Sequence, residues 1–250
     1  GWRAPPVRPA DSRSDRRGQS GASPHRPRWE GLCDAWSLSA TFYPEPTTPR
    51  QILLPDGREI NFSVGDQKAL LLKTFDSVPR DSLRFYGQRF TGNVDGWIFP
   101  DLFPQELHRY VEKQLFERRR PFVMDHDPGV EVWSEPVFKA NYKISAVPGR
   151  TDAVAVRLWL YSATTFVDRG LKDQVGLREI VREYDYRLFG VQDGLGNLMV
   201  QSGTWEKGDL VDSRRDHPDF VYSVIDPATV RRMSQNPEID ADIVDKILGR

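Results

Sequence analysis

Cysteine is almost missing from this chain of 250 residues, where Cys33 stands alone. A lone cysteine excludes an internal disulfide and any zinc site assembled from several cysteines. Histidine is scarce as well: His25, His108, His126 and His217 are the whole supply of imidazole bases. No apolar run approaches the roughly 18 residues of a membrane span, and no apolar core of a signal peptide is visible. Because the first residue is Gly1, the missing signal decides nothing about export. An excess of one charge is also lacking, since the net charge is −1. That balance conceals a split: residues 1–28 carry +5 and the remainder −6. The basic stretch is rich in Pro, Ser and Gly and has little to bury, so it is expected to be a disordered arm. The acidic body without a basic aromatic stripe argues against a nucleic-acid partner.

What is present is enough for a core: 38% hydrophobic residues, with seven Trp, eight Tyr and thirteen Phe. Periodicity and breakers predict a helix over 33–42, ended by Pro44-Glu45-Pro46. A hairpin follows, with strands 51–54 and 59–62 around Pro55-Asp56-Gly57. Ser63 or Asp66 can cap a helix over 66–76. Residues 77–103 read as a turn-rich surface loop. The clearest helix is 104–119, with Leu107, Tyr110, Val111 and Leu115 in one arc and His108 at its border. Strand 121–124 follows and ends in Asp125. Further strands are expected at 130–134, 137–147, 152–162, 180–191 and 195–205, the last two joined by a turn at Asp193–Asn197. Helices at 227–234 and 238–248 close the chain, the last one peripheral. Helices early and antiparallel strands late make an α+β arrangement, a single ordered domain over 29–250.

Cys33 opens its helix. There the thiol faces unpaired backbone N–H groups and the positive end of the helix dipole, which favour the thiolate. Nucleophilic catalysis by cysteine also needs an imidazole and a carboxylate to orient it. His108 and Asp125 are the candidates, joined by a short link, although spacing alone brings neither to Cys33. His126, in Asp125-His126-Asp127-Pro128-Gly129, is the alternative base. The same cluster offers carboxylates for calcium, without an EF-hand pattern around it. His217 reads as a turn residue.

Several segments together resemble the transglutaminase elicitor family. They are Gly31-Leu32-Cys33-Asp34-Ala35-Trp36, Glu45-Pro46, Ser63-Val64-Gly65-Asp66-Gln67-Lys68-Ala69-Leu70, and Phe122-Val123-Met124-Asp125 with Glu131-Val132-Trp133-Ser134-Glu135-Pro136-Val137. Gly203-Thr204-Trp205 and His217-Pro218-Asp219-Phe220-Val221-Tyr222 continue the likeness, in the family's order, over roughly 29–223. The resemblance implies N-terminal helices carrying a thiol-protease-like or transglutaminase-like site on a C-terminal antiparallel sheet. It implies Cys33 as nucleophile, His108 as its partner (matching the family's Pro-x-x-Phe/Leu-His helix) and Asp125 as the orienting acid. Trp133, with Trp36, becomes the candidate wall of an acyl-donor groove.

The implied activity is transfer of glutaminyl acyl groups to amines, on protein partners with accessible Gln and Lys. It calls for no organic cofactor and suggests an extracytoplasmic location. A deamidase or thiol peptidase with the same residues, or a non-catalytic interaction module, stays open. Two departures stand out. Asp34 occupies a place where many relatives carry histidine, and its charge should raise the neighbouring thiol's pKa. The loop 85–103 lacks a cysteine that some relatives carry.

Overall fold

The computed structural model describes residues 32–89, 102–126, 132–164, 173–206, 217–226 and 230–250. The expected arm over 1–28 lies outside these residues. Helix α1 (Cys33–Phe42) has the predicted bounds. Strands β1 (Arg50–Leu53) and β2 (Glu59–Phe62) form the predicted antiparallel hairpin. Helix α2 (Val64–Lys73) starts two residues before the predicted 66 because Ser63 is its cap. The Ser63 hydroxyl accepts from Asp66 N–H at 3.1 Å, and the Asp66 carboxylate accepts from Ser63 N–H at 2.9 Å. This reciprocal box satisfies two of the helix's orphan donors.

The stretch read as loop contains a strand, β3 (Leu83–Gly87). It was hidden by Gly87, which the sequence presents as a turn residue. Gly87 instead ends the strand at φ 87°, where a Cβ would lie 2.3 Å from the Asp219 carbonyl. The helix predicted over 104–119 is α-helical only as α3 (Pro104–Val111) and then widens to a π-helix over Glu112–Glu117. Strands β4 (Phe122–Asp125), β5 (Ser134–Ala146), β6 (Ala153–Ala163), β7 (Glu179–Gln192), β8 (Leu198–Trp205) and β9 (Phe220–Val224) follow. Pro136 does not divide two strands as expected but lies inside β5, opposite Val123. A 3₁₀ turn (Val230–Met233) stands where a longer helix was predicted, with 227–229 outside the described residues. The last helix, α4 (Ala241–Leu248), is not peripheral: Val244 and Leu248 are buried.

The larger sheet has seven strands in the order β3-β9-β4-β5-β6-β7-β8, every neighbouring pair antiparallel. The class is α+β, as expected. Helices and strands are not segregated along the chain, however, because β3 and β4 enter the sheet before most other strands. The sheet separates two cores. Phe122 and Met124 of β4, with Val221 of β9, join Leu107, Tyr110 and Val111 of α3 on one face. Val123, Phe220 and Tyr222 join Ala35 and Leu38 of α1, Leu71 and Phe75, and Val244 of α4 on the other. Successive strand residues point to opposite faces, so β4 is apolar on both. Among the described residues, no helix is long and apolar enough to cross a membrane.

Candidate functional site

Asp125 ends β4 one pleat repeat after Val123, so it faces the α1 side. It is fully buried, and its Oδ1 accepts from the Trp133 backbone N–H at 2.8 Å. Ser134, which opens β5, stands opposite Asp125 in the ladder. Helix α1 is fastened at this point by hydrogen bonds rather than by apolar contact alone. The Ser37 hydroxyl donates to the Ser134 carbonyl at 2.7 Å, and the Ser134 hydroxyl donates to Asp34 Oδ1 at 2.7 Å. Tyr222 of β9 donates its hydroxyl to the same Asp34 oxygen at 3.2 Å and lies 3.3 Å from Ser134 Oγ. Burial and the Asp34 carboxylate hold the Tyr222 hydroxyl well above the ordinary tyrosine value of 10.0, so it remains a donor.

Cys33 sits one helical turn before Ser37, on the same side of α1. It is half-buried and free of any disulfide. Burial, and secondarily the adjacent Asp34 charge, push its thiol above the ordinary 9.0. Partial desolvation and a neighbouring anion thus oppose the thiolate expected from the helix position. Trp36 and Trp133, the candidate groove walls, are both half-buried, Trp36 on the next turn of α1 and Trp133 immediately before Ser134.

The expected partnership of Cys33 with His108 is not formed. His108 lies on α3, against the opposite face of the sheet, because the arc of Leu107, Tyr110 and Val111 buries that helix among Phe122, Met124 and Val221. Its Nδ1 is 2.7 Å from the Tyr186 hydroxyl, and its ring packs on Tyr142 and Tyr186. Burial lowers its pKa below 6.5, with Glu112 raising it and Arg109 lowering it further. Asp125 consequently does not orient His108, since the two point to different sides of the sheet.

The alternative base, His126, directs its ring elsewhere. Its Nδ1 donates to the Trp133 carbonyl at 2.9 Å and lies 3.4 Å from Glu135 Oε1. Glu135 stands opposite Met124 on the α3 side. It holds Arg182 at 2.8 and 3.1 Å and accepts from the Ser162 hydroxyl at 2.8 Å. His217, expected as a turn residue, is buried and stacks on Trp205 with ring centroids 4.0 Å apart. His25 and Asp127 lie outside the described residues. Among the described residues, no group of three or more His, Cys, Asp or Glu side chains is arranged to hold a metal.

The family resemblance grouped Cys33 with Asp125, and sequence reasoning does not flag Ser37, Ser134 and Tyr222 as the groups that tie α1 to the sheet. Ser134 and Tyr222 fall inside motifs that carried the family resemblance, which was the available signal. Their shared acceptor, Asp34, was noticed only for its charge.

Comparison with known proteins agrees with this architecture. Residues 10–167 match the family described as Transglutaminase elicitor. The crystal structure of the GP42 transglutaminase from Phytophthora sojae is similar, with a TM-score of 0.55 at 23% sequence identity. That similarity covers 90% of this chain and 63% of the GP42 chain, so this chain spans under two thirds of that structure. No curated protein matches the sequence. A match over more than half its length establishes that the chain belongs to the Transglutaminase elicitor family.

Proposed function

We propose that this chain is a protein-glutamine acyltransferase with Cys33 as its nucleophile. The supporting observation is a half-buried thiol in the first turn of α1, beside a hydroxyl–carboxylate cluster, in a member of this family. In the reaction, Cys33 Sγ bonds to the carboxamide carbon of a glutaminyl side chain. The C–N bond breaks, and ammonia departs carrying the thiol proton. A primary amine, such as a lysine side chain, then attacks the thioester, loses a proton and returns it to sulfur. The Cys33 backbone N–H, at the helix start, is the natural first donor to the oxyanion. Ser134 and Tyr222 fix the orientation of Asp34 through Oδ1, beside the reacting thiol. Trp36 and Trp133 flank this position as walls for the acyl donor. An extracytoplasmic location is part of the proposal.

A second reading, a non-catalytic interaction module, is favoured by the raised thiol pKa and by the removal of His108 to the opposite face. At pH 7 a thiol with the ordinary value of 9.0 is about 1% ionised, and a raised one less. Incorporation of a fluorescent primary amine into a glutamine-bearing protein separates the two readings. Acyl transfer predicts incorporation by the wild type and none by Cys33→Ala. Equal signals from both would leave the interaction module. Mass spectrometry of the treated protein distinguishes cross-linking from deamidation by water or from backbone cleavage.

A further inference from the structure

A cleft lies away from Cys33, at the far end of α1. It has a volume of about 390 Å³ and is lined by Arg84 of β3, Arg118 and Arg120 beyond the π-helix, Gln114, Ser223 of β9 and the ring of Phe42, among others. Among the described residues, no acidic side chain lines it. Among the described residues the three guanidinium groups take part in no ion pair, whereas Arg157, Arg182 and Arg231 each hold a carboxylate. Unpaired positive charge gathered in a concavity, on a body whose net charge is negative, focuses an attractive field for anions.

The backbone is shaped to build this cleft. The π-helix ends at Glu117, Arg119 adopts the left-handed region at φ 53°, and Arg120 N–H donates to the Gln114 carbonyl at 2.8 Å. This turn sets Arg118 and Arg120, two residues apart, on the rim of one cleft, with Arg119 not among its lining residues. Both a π-turn and a non-glycine left-handed residue are uncommon departures that concentrate at functional positions. Arg84 arrives from a different segment because β3 pairs with β9. Burial raises the pKa of the Tyr110 hydroxyl, opposed first by its Ser223 hydrogen bond and then by the charges of Arg118 and Arg84.

We propose that this cleft binds a phosphate monoester. A carboxylate has two oxygens and saturates one guanidinium fork, whereas a phosphate group presents three acceptor oxygens and nearly two charges. Three forks therefore match the phosphate better. The volume equals roughly 13 water molecules at about 30 Å³ each, which accommodates the head group and part of an organic body against Phe42. The site is independent of Cys33 and of the acyl-transfer reading.

Glycerol 3-phosphate, titrated calorimetrically at fixed ionic strength, tests the proposal on the full chain. Saturable binding is expected, weakened about tenfold or more by Arg118→Gln with Arg120→Gln, and by Arg84→Gln in a separate variant. Arg119→Asn removes one positive charge from outside the cleft, as Arg84→Gln does from inside it, keeps a residue tolerant of left-handed backbone, and is expected to bind as the wild type does. Binding confined to phosphatidylcholine vesicles containing phosphatidic acid, and lost in the Arg118/Arg120 variant, assigns the phosphate to a lipid head group. No saturable binding to either ligand overturns the proposal. So does a loss in Arg119→Asn equal to that in Arg84→Gln, because the effect would then be one of net charge alone.

Discussion

Removing the hydroxyl of Tyr222 and the carboxylate of Asp34, singly and together, probes how α1 is held to the sheet. Tyr222 is 2% exposed and Ser134 is 2% exposed, and both direct hydroxyls to Asp34 Oδ1. A hydrogen bond to a charged group contributes about 1.5–3 kcal/mol net. The exposed side of Asp34 remains hydrated, so the lower end applies, and Tyr222→Phe is expected to destabilise by about 1.5 kcal/mol. Asp34→Ala leaves two buried hydroxyls with a weakened network and is expected to lose about 2 kcal/mol. For a chain of this size that is a fall of roughly 4–8 °C in melting temperature. Because the two groups share one interaction, the double variant should lose about 2.5 kcal/mol rather than the sum, a coupling of about 1 kcal/mol. Urea unfolding of the four proteins measures this directly. Additive single losses would refute the geometry, since Asp34 could not then be the acceptor that joins α1 to β9. The isosteric Asp34→Asn keeps an oxygen acceptor while removing the charge, and should accelerate Cys33 alkylation by iodoacetamide at neutral pH. An unchanged rate would remove Asp34 as a cause of the raised thiol.

His108 supplies a pH test of stability. Its folded pKa is depressed below 6.5, so in the window between the two values the unfolded chain binds the extra proton. The stabilisation is therefore complete above about pH 6.5 and declines as pH falls toward the folded value, and melting temperatures of His108→Gln should depend less on pH there. Gly87→Ala combines a φ of 87° with a Cβ 2.3 Å from the Asp219 carbonyl, and should destabilise by about 3 kcal/mol or more in urea unfolding. Glu135→Ala strips the partner from Arg182 and the acceptor from Ser162. It should lose about 3 kcal/mol, the low end for a broken buried pair, because Arg182 retains 28% side-chain exposure. Retention of full stability would mean that this network contributes nothing.

Local chemistry was legible in the sequence. The start of α1 and the breaker after Phe42, the Ser63 cap, and the apolar arc of α3 are all written within a few residues. So is the turn at Asp193, whose carboxylate accepts from Leu195 and Asn197 N–H at 2.9 and 2.8 Å. The candidate site was not legible because it depends on facing. Whether Asp125 and His108 meet is set by which side of β4 each element occupies, and β4 is buried on both sides, so its sequence carries no alternation to read. The insertion of β9 between β3 and β4 brings Tyr222 beside Val123, nearly 100 residues away, and no local pattern announces that pairing. The same long-range step hid the cleft that gathers Arg84 with Arg118 and Arg120.

Intact mass of the acid-quenched protein after incubation with a glutamine-containing peptide tests the central claim about Cys33 most directly. The account predicts a covalent adduct equal to the peptide less one ammonia, carried by the wild type, absent from Cys33→Ala and discharged by added amine. An unmodified wild-type mass under conditions that leave the fold intact would contradict it.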